Sequence, residues 1–362
     1  MKRSEILTWL RQADHSRLAV LWDRADRVRR EIVGDQVHLR GLIEISNHCR
    51  RSCAYCGIGG AAAPGPARYR MTAEEIVACA RQGAAAGFGT VVLQSGEDPC
   101  ITRDWLADVI AGIKAETPLA ITLSLGERRR EELAAWRAAG ADRYLLRFET
   151  GNTELYGQLH PRADGSPGRP ADRIALLGFL RSVGYEIGSG VLVGLPGQTW
   201  ASLARDVEMF AELDLDMIGL GPYVPDPATA LGRGDMLSAT PGREQVTADD
   251  LTACKVLALT RLLCPRANIP STTALTVVNP RDGRRLGLER GANVFMPNLT
   301  PARYRRLYSI YPGKADFRET AEALGRNLPA FLGGIGRRSG RGPGNARREP
   351  RAISPAGRGH RG

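Results

Sequence analysis

Apolar positions along the chain follow two different periods. Up to residue 33 they recur at helical spacing, as with Trp9, Leu10, Leu18, Leu21 and Trp22. After Gly34-Asp35 short apolar runs begin, each followed by a longer amphipathic stretch. This pattern predicts strands at about 38–46, 90–95, 119–124, 142–148, 186–193, 216–221, 268–273 and 292–296. Helices are predicted at 73–87, 102–115, 129–139, 172–183, 199–213, 247–263, 279–287 and 301–308. Local punctuation agrees with these elements. Thr72-x-x-Glu75 is a capping box, and Gly87, Gly140 and Gly184 stand where helices end on a left-handed residue. Strands alternating with helices imply parallel pairing through crossover helices. A closed α/β barrel of the (β/α)8 TIM type suits the length, with a doubly wound open sheet as the alternative. The expected organisation is an N-terminal helical extension over 1–36, the barrel over 37–313, a helical segment over 314–336 and a disordered Arg/Gly/Pro-rich tail over 337–362.

Composition narrows the class. The 362 residues are 43% hydrophobic, enough for a full core, and no apolar run approaches the ~20 residues of a membrane span. No signal peptide is read at the N-terminus, so the expected location is cytoplasmic. The net charge is +11, but residues 337–362 hold eight Arg and one Glu and so carry +7 of it. A nucleic-acid-binding or scaffold role would therefore rest on the tail alone, and it leaves the cysteines unexplained. There are seven cysteines. Cys79, Cys254 and Cys264 read as core thiols, Cys100 as a bystander, Trp105 and Trp136 as packing and His160 as a surface residue.

The other three cysteines carry the chemistry. Cys49, Cys53 and Cys56 follow the first predicted strand at C-x3-C-x2-C spacing, with Tyr55 just before the last. Thiolates are soft ligands suited to iron–sulfur clusters. Three on one short loop can hold three corners of a 4Fe–4S cubane and leave one iron open. That iron can chelate the amino and carboxylate groups of S-adenosylmethionine, whose reductive cleavage yields a 5′-deoxyadenosyl radical. Zinc would need a further ligand. The remaining polar motifs close later strands, where barrel active sites are built. They are Gln94-Ser95-Gly96-Glu97, Arg147-Phe148-Glu149-Thr150, Val193-Gly194-Leu195-Pro196-Gly197, Ser271-Thr272-Thr273 and Met296-Pro297-Asn298. Arg147 and Glu149 share one strand face, which fits either a ligand-binding pair or a buried ion pair.

These blocks, with RYRMTAEEIV, AGADRYLLRFET, NIPSTTAL and YPGK, resemble the HydE family of radical S-adenosylmethionine maturases of FeFe-hydrogenase, in the biotin-synthase-like branch. The resemblance runs from about Glu31 to Lys314 and implies a set of roles. Cys49, Cys53 and Cys56 would hold one 4Fe–4S cluster. Tyr55 would lie against the adenine of S-adenosylmethionine, and the Ser95–Glu97 loop would meet its amino group. Glu149 would bind the ribose and Arg173 the carboxylate. Arg147, Thr272 and Thr273 would line the substrate end. The implied substrate is a small cysteine-bound iron–carbonyl–cyanide complex. The implied partners are the other hydrogenase maturases, a tyrosine lyase and a GTPase scaffold, with a flavodoxin or ferredoxin as reductant. No membrane is involved. Two departures stand out. Phe148 replaces a polar ring, and no cysteine follows Cys264, so a second cluster is not expected. Methylornithine synthase, a lysine mutase of the same branch, is the nearest rival.

Overall fold

The computed structural model describes residues 1–62, 65–162, 166–236, 244–314 and 321–346. The predicted strands form a parallel sheet: β1 (Gln36–Ser46), β2 (Thr90–Ser95), β3 (Ala120–Ser124), β4 (Arg143–Leu145), β5 (Glu186–Val193), β6 (Met217–Pro222) and β7 (Val294–Phe295). They are ordered β6-β5-β4-β3-β2-β1-β7. Their runs are nearly all buried because crossover helices cover the outside and side chains fill the inside. Thr72 and Glu75 make the capping box, and Gly87, Gly140 and Gly184 all have positive φ.

The ring closes through Asn268–Pro270 rather than through a regular strand. Asn268 bridges Met217 of β6, and Pro270 bridges Val294 of β7. Pro270 lacks an N–H and cannot continue a ladder. The fully buried Arg261 takes up the slack, donating to the carbonyls of Gly291, Pro265 and Ala267 and to the Asn293 side chain at 2.8–2.9 Å. The expected 279–287 helix is instead two short ones, Thr273–Val278 and Gly283–Glu289. Two helices went unpredicted, Thr153–Leu159 and Ala230–Arg233. The N-terminal extension is a pair, Arg3–Leu10 and His15–Ile32, and the segment after the barrel carries Ala321–Gly334. No described helix is long and apolar enough to cross a membrane.

The tail needs a correction. Residues 337–346 are not free; the rest of the expected disordered tail, 347–362, lies outside the described residues. A short strand, β8 (Arg338–Ser339), pairs with the start of β1. The chain then crosses the N-terminal end of the barrel. The Pro343 carbonyl accepts from Thr90 and Arg143, both at 2.9 Å. The Gly344 carbonyl accepts from Arg40 at 3.2 Å and from Asn268 at 2.9 Å. Composition suggests disorder here because the segment has no apolar period. What holds it is hydrogen bonding of its backbone to buried side chains. The approach is so close that a Cβ on Gly89 would overlap the Gly342 carbonyl. Gly89→Ala should therefore destabilise the full chain by about 1–3 kcal/mol, as overpacking does. The same change should be nearly silent in a chain ending at residue 336. Equal losses of melting temperature in both backgrounds would rule out the docked tail.

Candidate active site

At the opposite end, the cysteine loop leaves β1 without regular structure, and its neighbours hold it. The Asn47 side chain donates to the carbonyls of Ala67 and Leu307 and accepts the Tyr69 N–H, all at 2.8 Å. The Arg68 guanidinium bonds the carbonyls of Asn47 and Ile58 at 2.5 and 2.8 Å. Backbone bonds run from Arg50 to Glu97, from Ala54 to Leu159 and from Gly57 to Ile310. Gly96 lies against Cys49; a side chain there would strike the Cys49 Cβ at 2.5 Å. Its backbone meets the cysteine loop directly.

Cys49, Cys53 and Cys56 line one cavity of about 230 Å³ at the mouth of the barrel. All seven cysteines are free thiols. Cys49 Sγ accepts the N–H groups of Arg51 and Glu97 at 3.4 Å. Burial pushes the thiols up, Cys53 to about 11 and Cys56 to about 12; Cys49 adds to the rise of both, and Cys53 to that of Cys56. A metal must displace those protons to bind. Among the described residues no His, Cys, Asp or Glu group encloses a single ion. Thiols arrayed along a cavity wall match a cubane, whose corners lie further apart than the ligands of one ion.

The same cavity collects Tyr55, Ser95, Glu97, Arg147, Glu149 and Arg173. Arg173 is buried; it bonds Glu127 at 2.8 Å and the Arg147 carbonyl at 2.6 Å. Glu97 accepts the Glu127 N–H at 2.8 Å, and burial raises its carboxyl. Glu149 is also raised by burial. Its Oε2 lies 2.9 Å from Arg147 Nη2, an ion-pair contact without hydrogen-bond alignment. Five buried atoms of residues lining this cavity lack a hydrogen-bond partner: Arg51 Nε, Glu97 Oε2, Arg147 Nε, Glu149 Oε2 and Tyr223 Oη. Buried polar atoms are rarely left so, and a cluster of them marks where a polar ligand completes the bonding. A wall that alternates guanidinium and carboxylate suits a zwitterion that also carries a sulfonium.

Glu149 has φ +61°, in the left-handed region that non-glycine residues seldom occupy. The turn is tied on both sides. The Glu149 N–H donates to Gly190, and its carbonyl accepts from Leu192. The ladder expected over 142–148 accordingly narrows to β4, with isolated bonding beyond it.

Two expected substrate residues are not brought to this cavity. Thr272 stands at the N-cap position of the helix Thr273–Val278 without a side-chain capping bond, and its Oγ1 lies where a Gly221 side chain would be. Thr273 lines a separate cavity of about 60 Å³ with Lys314 and Asn298. Strand-like bonding of this segment ends at the Ser271 N–H on the Val294 carbonyl, before either threonine. Lys314 is itself engaged, paired with the buried Glu44. His160 is a further correction. It is fully buried and hydrogen-bonded to the Tyr55 hydroxyl. Lying at a helix end with no apolar period around it, it gave no signal beyond its position. Cys79, Cys254 and Cys264 are buried, and Cys100 is exposed.

Comparison with known proteins places this site. The radical SAM superfamily model matches residues 43–210, from within β1 through the fifth strand and the helix after it. The chain is 43% identical to the FeFe-hydrogenase maturase subunit HydE of Thermotoga maritima, over 91% of this chain and 89% of that protein. It is 28% identical to a 3-methylornithine synthase of Methanosarcina barkeri, over 82% and 79%. A crystal structure of methylornithine synthase superposes with a TM-score of 0.77 at 24% identity, covering 94% of each chain, which supports the barrel fold. The protein is a radical S-adenosylmethionine enzyme, a class that uses a 4Fe–4S cluster and S-adenosylmethionine. Within that class the chain belongs to the HydE family.

Asp206 sits behind the Glu149 turn and gives a pH test. It accepts the Gly151 N–H at 2.6 Å, and burial raises its carboxyl to about 7 from 3.8. A group raised on folding contributes stability that is full below its unfolded pKa and is lost as pH rises through the folded one. Between about pH 4 and about pH 7 the native apoprotein should lose melting temperature relative to Asp206→Asn, which keeps the acceptor without the titration. A gap between the two proteins that stays constant with pH would remove Asp206 as the source.

Proposed function

We propose that this chain matures FeFe-hydrogenase, acting on a small cysteine-bound iron–carbonyl–cyanide precursor. The observation that carries the reading is the 43% identity across nine-tenths of the chain to a maturase of that name. The charged wall beside the three thiols is consistent with it. In this reading the other maturases, a tyrosine lyase and a GTPase scaffold, are its working partners, and a flavodoxin or ferredoxin is its reductant.

Cys49, Cys53 and Cys56 would hold the cluster, which supplies the electron that cleaves S-adenosylmethionine to a 5′-deoxyadenosyl radical. The protein's share is placement and exclusion of water. Glu97 and the Ser95–Gly96 backbone would receive the cofactor's ammonium. Arg173, already oriented by Glu127, would face its carboxylate, and Glu149 would take the ribose hydroxyls. The left-handed backbone aims the Glu149 carboxylate inward in advance, so little ordering remains for the binding step. Arg147 has a guanidinium nitrogen spare after bonding the Val191 carbonyl at 2.6 Å. It would meet an anionic end of the substrate. Thr272 and Thr273 would join only where a substrate reaches below the main cavity.

Anaerobically reconstituted enzyme with a reductant should release 5′-deoxyadenosine, and Cys53→Ala should reduce this to background. Added to a hydrogenase maturation system lacking only its HydE, the protein should restore hydrogen evolution. Failure there, together with conversion of lysine to methylornithine, would establish the mutase instead. Arg147→Leu should weaken substrate use, measured at saturating S-adenosylmethionine, by roughly ten- to a hundredfold, the worth of one charged hydrogen bond at about 1.5–3 kcal/mol. Unchanged substrate dependence would remove Arg147 from the substrate site.

A further inference from the structure

The helix Thr153–Leu159 packs its C-terminal end against the cysteine loop and grips it at two points. The Leu159 carbonyl accepts the Ala54 N–H at 2.9 Å. One residue on, the His160 imidazole meets the Tyr55 side chain, with Tyr55 Oη 2.8 Å from His160 Nε2. Tyr55 lies between two of the cysteines and lines the cofactor cavity. The ring packs edge-on to His160, with centroids 5.4 Å apart, and the hydrogen bond fixes its hydroxyl end.

His160 is built to be rigid. Its ring stacks on Tyr156 with centroids 4.2 Å apart and planes 26° from parallel. Tyr156 in turn lies under the Arg173 guanidinium, 5.6 Å from its ring centre. Gly168 closes over the His160 backbone; its N–H donates to the His160 carbonyl at 3.1 Å, and any side chain there would strike that carbonyl. Burial, with Arg173 and Arg51 nearby, holds the imidazole well below its usual pKa and so neutral. His160 Nδ1 lies 3.3 Å from the Tyr156 carbonyl, which can only accept, so the ring proton belongs on Nδ1. Nε2 then offers a lone pair, and the Tyr55 hydroxyl is the donor. One tautomer satisfies both ends.

We propose that His160 is a positioning residue for S-adenosylmethionine: by accepting the Tyr55 hydroxyl it fixes the tyrosine ring as a preset wall of the adenine pocket. The inference rests on the reading that Tyr55 lies against the adenine. It adds a residue that never touches the cofactor, and it ties the Tyr55 wall to the Arg173 side of the same pocket through Tyr156.

The test uses the full chain with its cluster reconstituted. His160→Phe keeps the stack on Tyr156 but removes the acceptor, and Tyr55→Phe removes the donor. Each should raise the dissociation constant for S-adenosylmethionine about fivefold, the scale of ordering one side chain on binding. The double variant should bind no worse than either single one, since both remove the same bond. His160→Gln, which can still accept, should recover part of the loss. The change that S-adenosylmethionine causes in the electron paramagnetic resonance spectrum of the reduced cluster should shift alike in both phenylalanine variants. Losses that multiply in the double variant, or native affinity in Tyr55→Phe, would overturn the proposal. Tyr55→Ala separates it from the underlying reading: unchanged affinity there means that Tyr55 is not at the adenine. Weakened affinity there beside native affinity in His160→Phe refutes His160 alone. If His160→Phe fails to fold, Tyr55→Phe, which deletes a single oxygen, still decides.

Discussion

The structure depends on how a loop without regular structure satisfies its own backbone while it presents three thiols. From Asn47 to Gly60 the chain has no helix or strand to pair its N–H and C=O groups, and all of it but Arg50 and Gly60 is partly or fully buried. The partners come from around the barrel mouth: Glu97 after β2, Leu159 at a helix end beyond β4, Ile310 after β7, and the side chains of Asn47 and Arg68. Closing the barrel and placing the cysteines are therefore one problem. A shift in any of these loops moves a thiol, which explains why Gly57 and Gly96, both without room for a side chain, border the loop.

The cavity wall stores cost that the rest of the fold covers. A left-handed non-glycine residue at Glu149 costs roughly 1–2 kcal/mol. Each buried polar atom without a partner costs about 1–3 kcal/mol. Such features concentrate where binding recovers the loss. Here they coincide: the strained residue contributes one of the five atoms without a hydrogen bond, and Arg147, two residues earlier, contributes another. The charge pattern follows the same logic. Arg51, Arg147 and Arg173 face Glu97, Glu127 and Glu149, so the wall holds charges of both signs ready for a ligand of both signs.

Most of the barrel was legible because parallel strands buried on both faces read as apolar runs, and because loops at strand ends carry function whatever their detailed shape. The three cysteines, Tyr55, Ser95, Glu97, Glu149 and Arg173 share one cavity for that reason. What was not legible depends on geometry that residue type does not encode. Strand-like bonding ends at Ser271, before Thr272 and Thr273, and neither reaches the cavity, although their spacing looks like that of other strand ends. His160 looks like a surface residue until the helix Thr153–Leu159, too short to show a period, brings it under Tyr55. The docked part of the tail has the composition of a disordered segment and is held by carbonyl groups, which composition does not report.

The two ends of the barrel solve opposite problems with the same residue type. At the N-terminal end Arg143 is buried and spends its donors inside the protein. It reaches Glu186, Thr90 and the Pro343 carbonyl. At the C-terminal end Arg51 and Arg147 each keep a buried nitrogen unpaired. A buried guanidinium with its bonds made in the folded chain contributes rigidity, whereas one left short of a partner favours whatever ligand supplies the missing acceptor. β1 joins the two regimes. It begins beside the tail strand β8 and ends in the cysteine loop, so the strand that anchors the sealed end also sets the height of the open one.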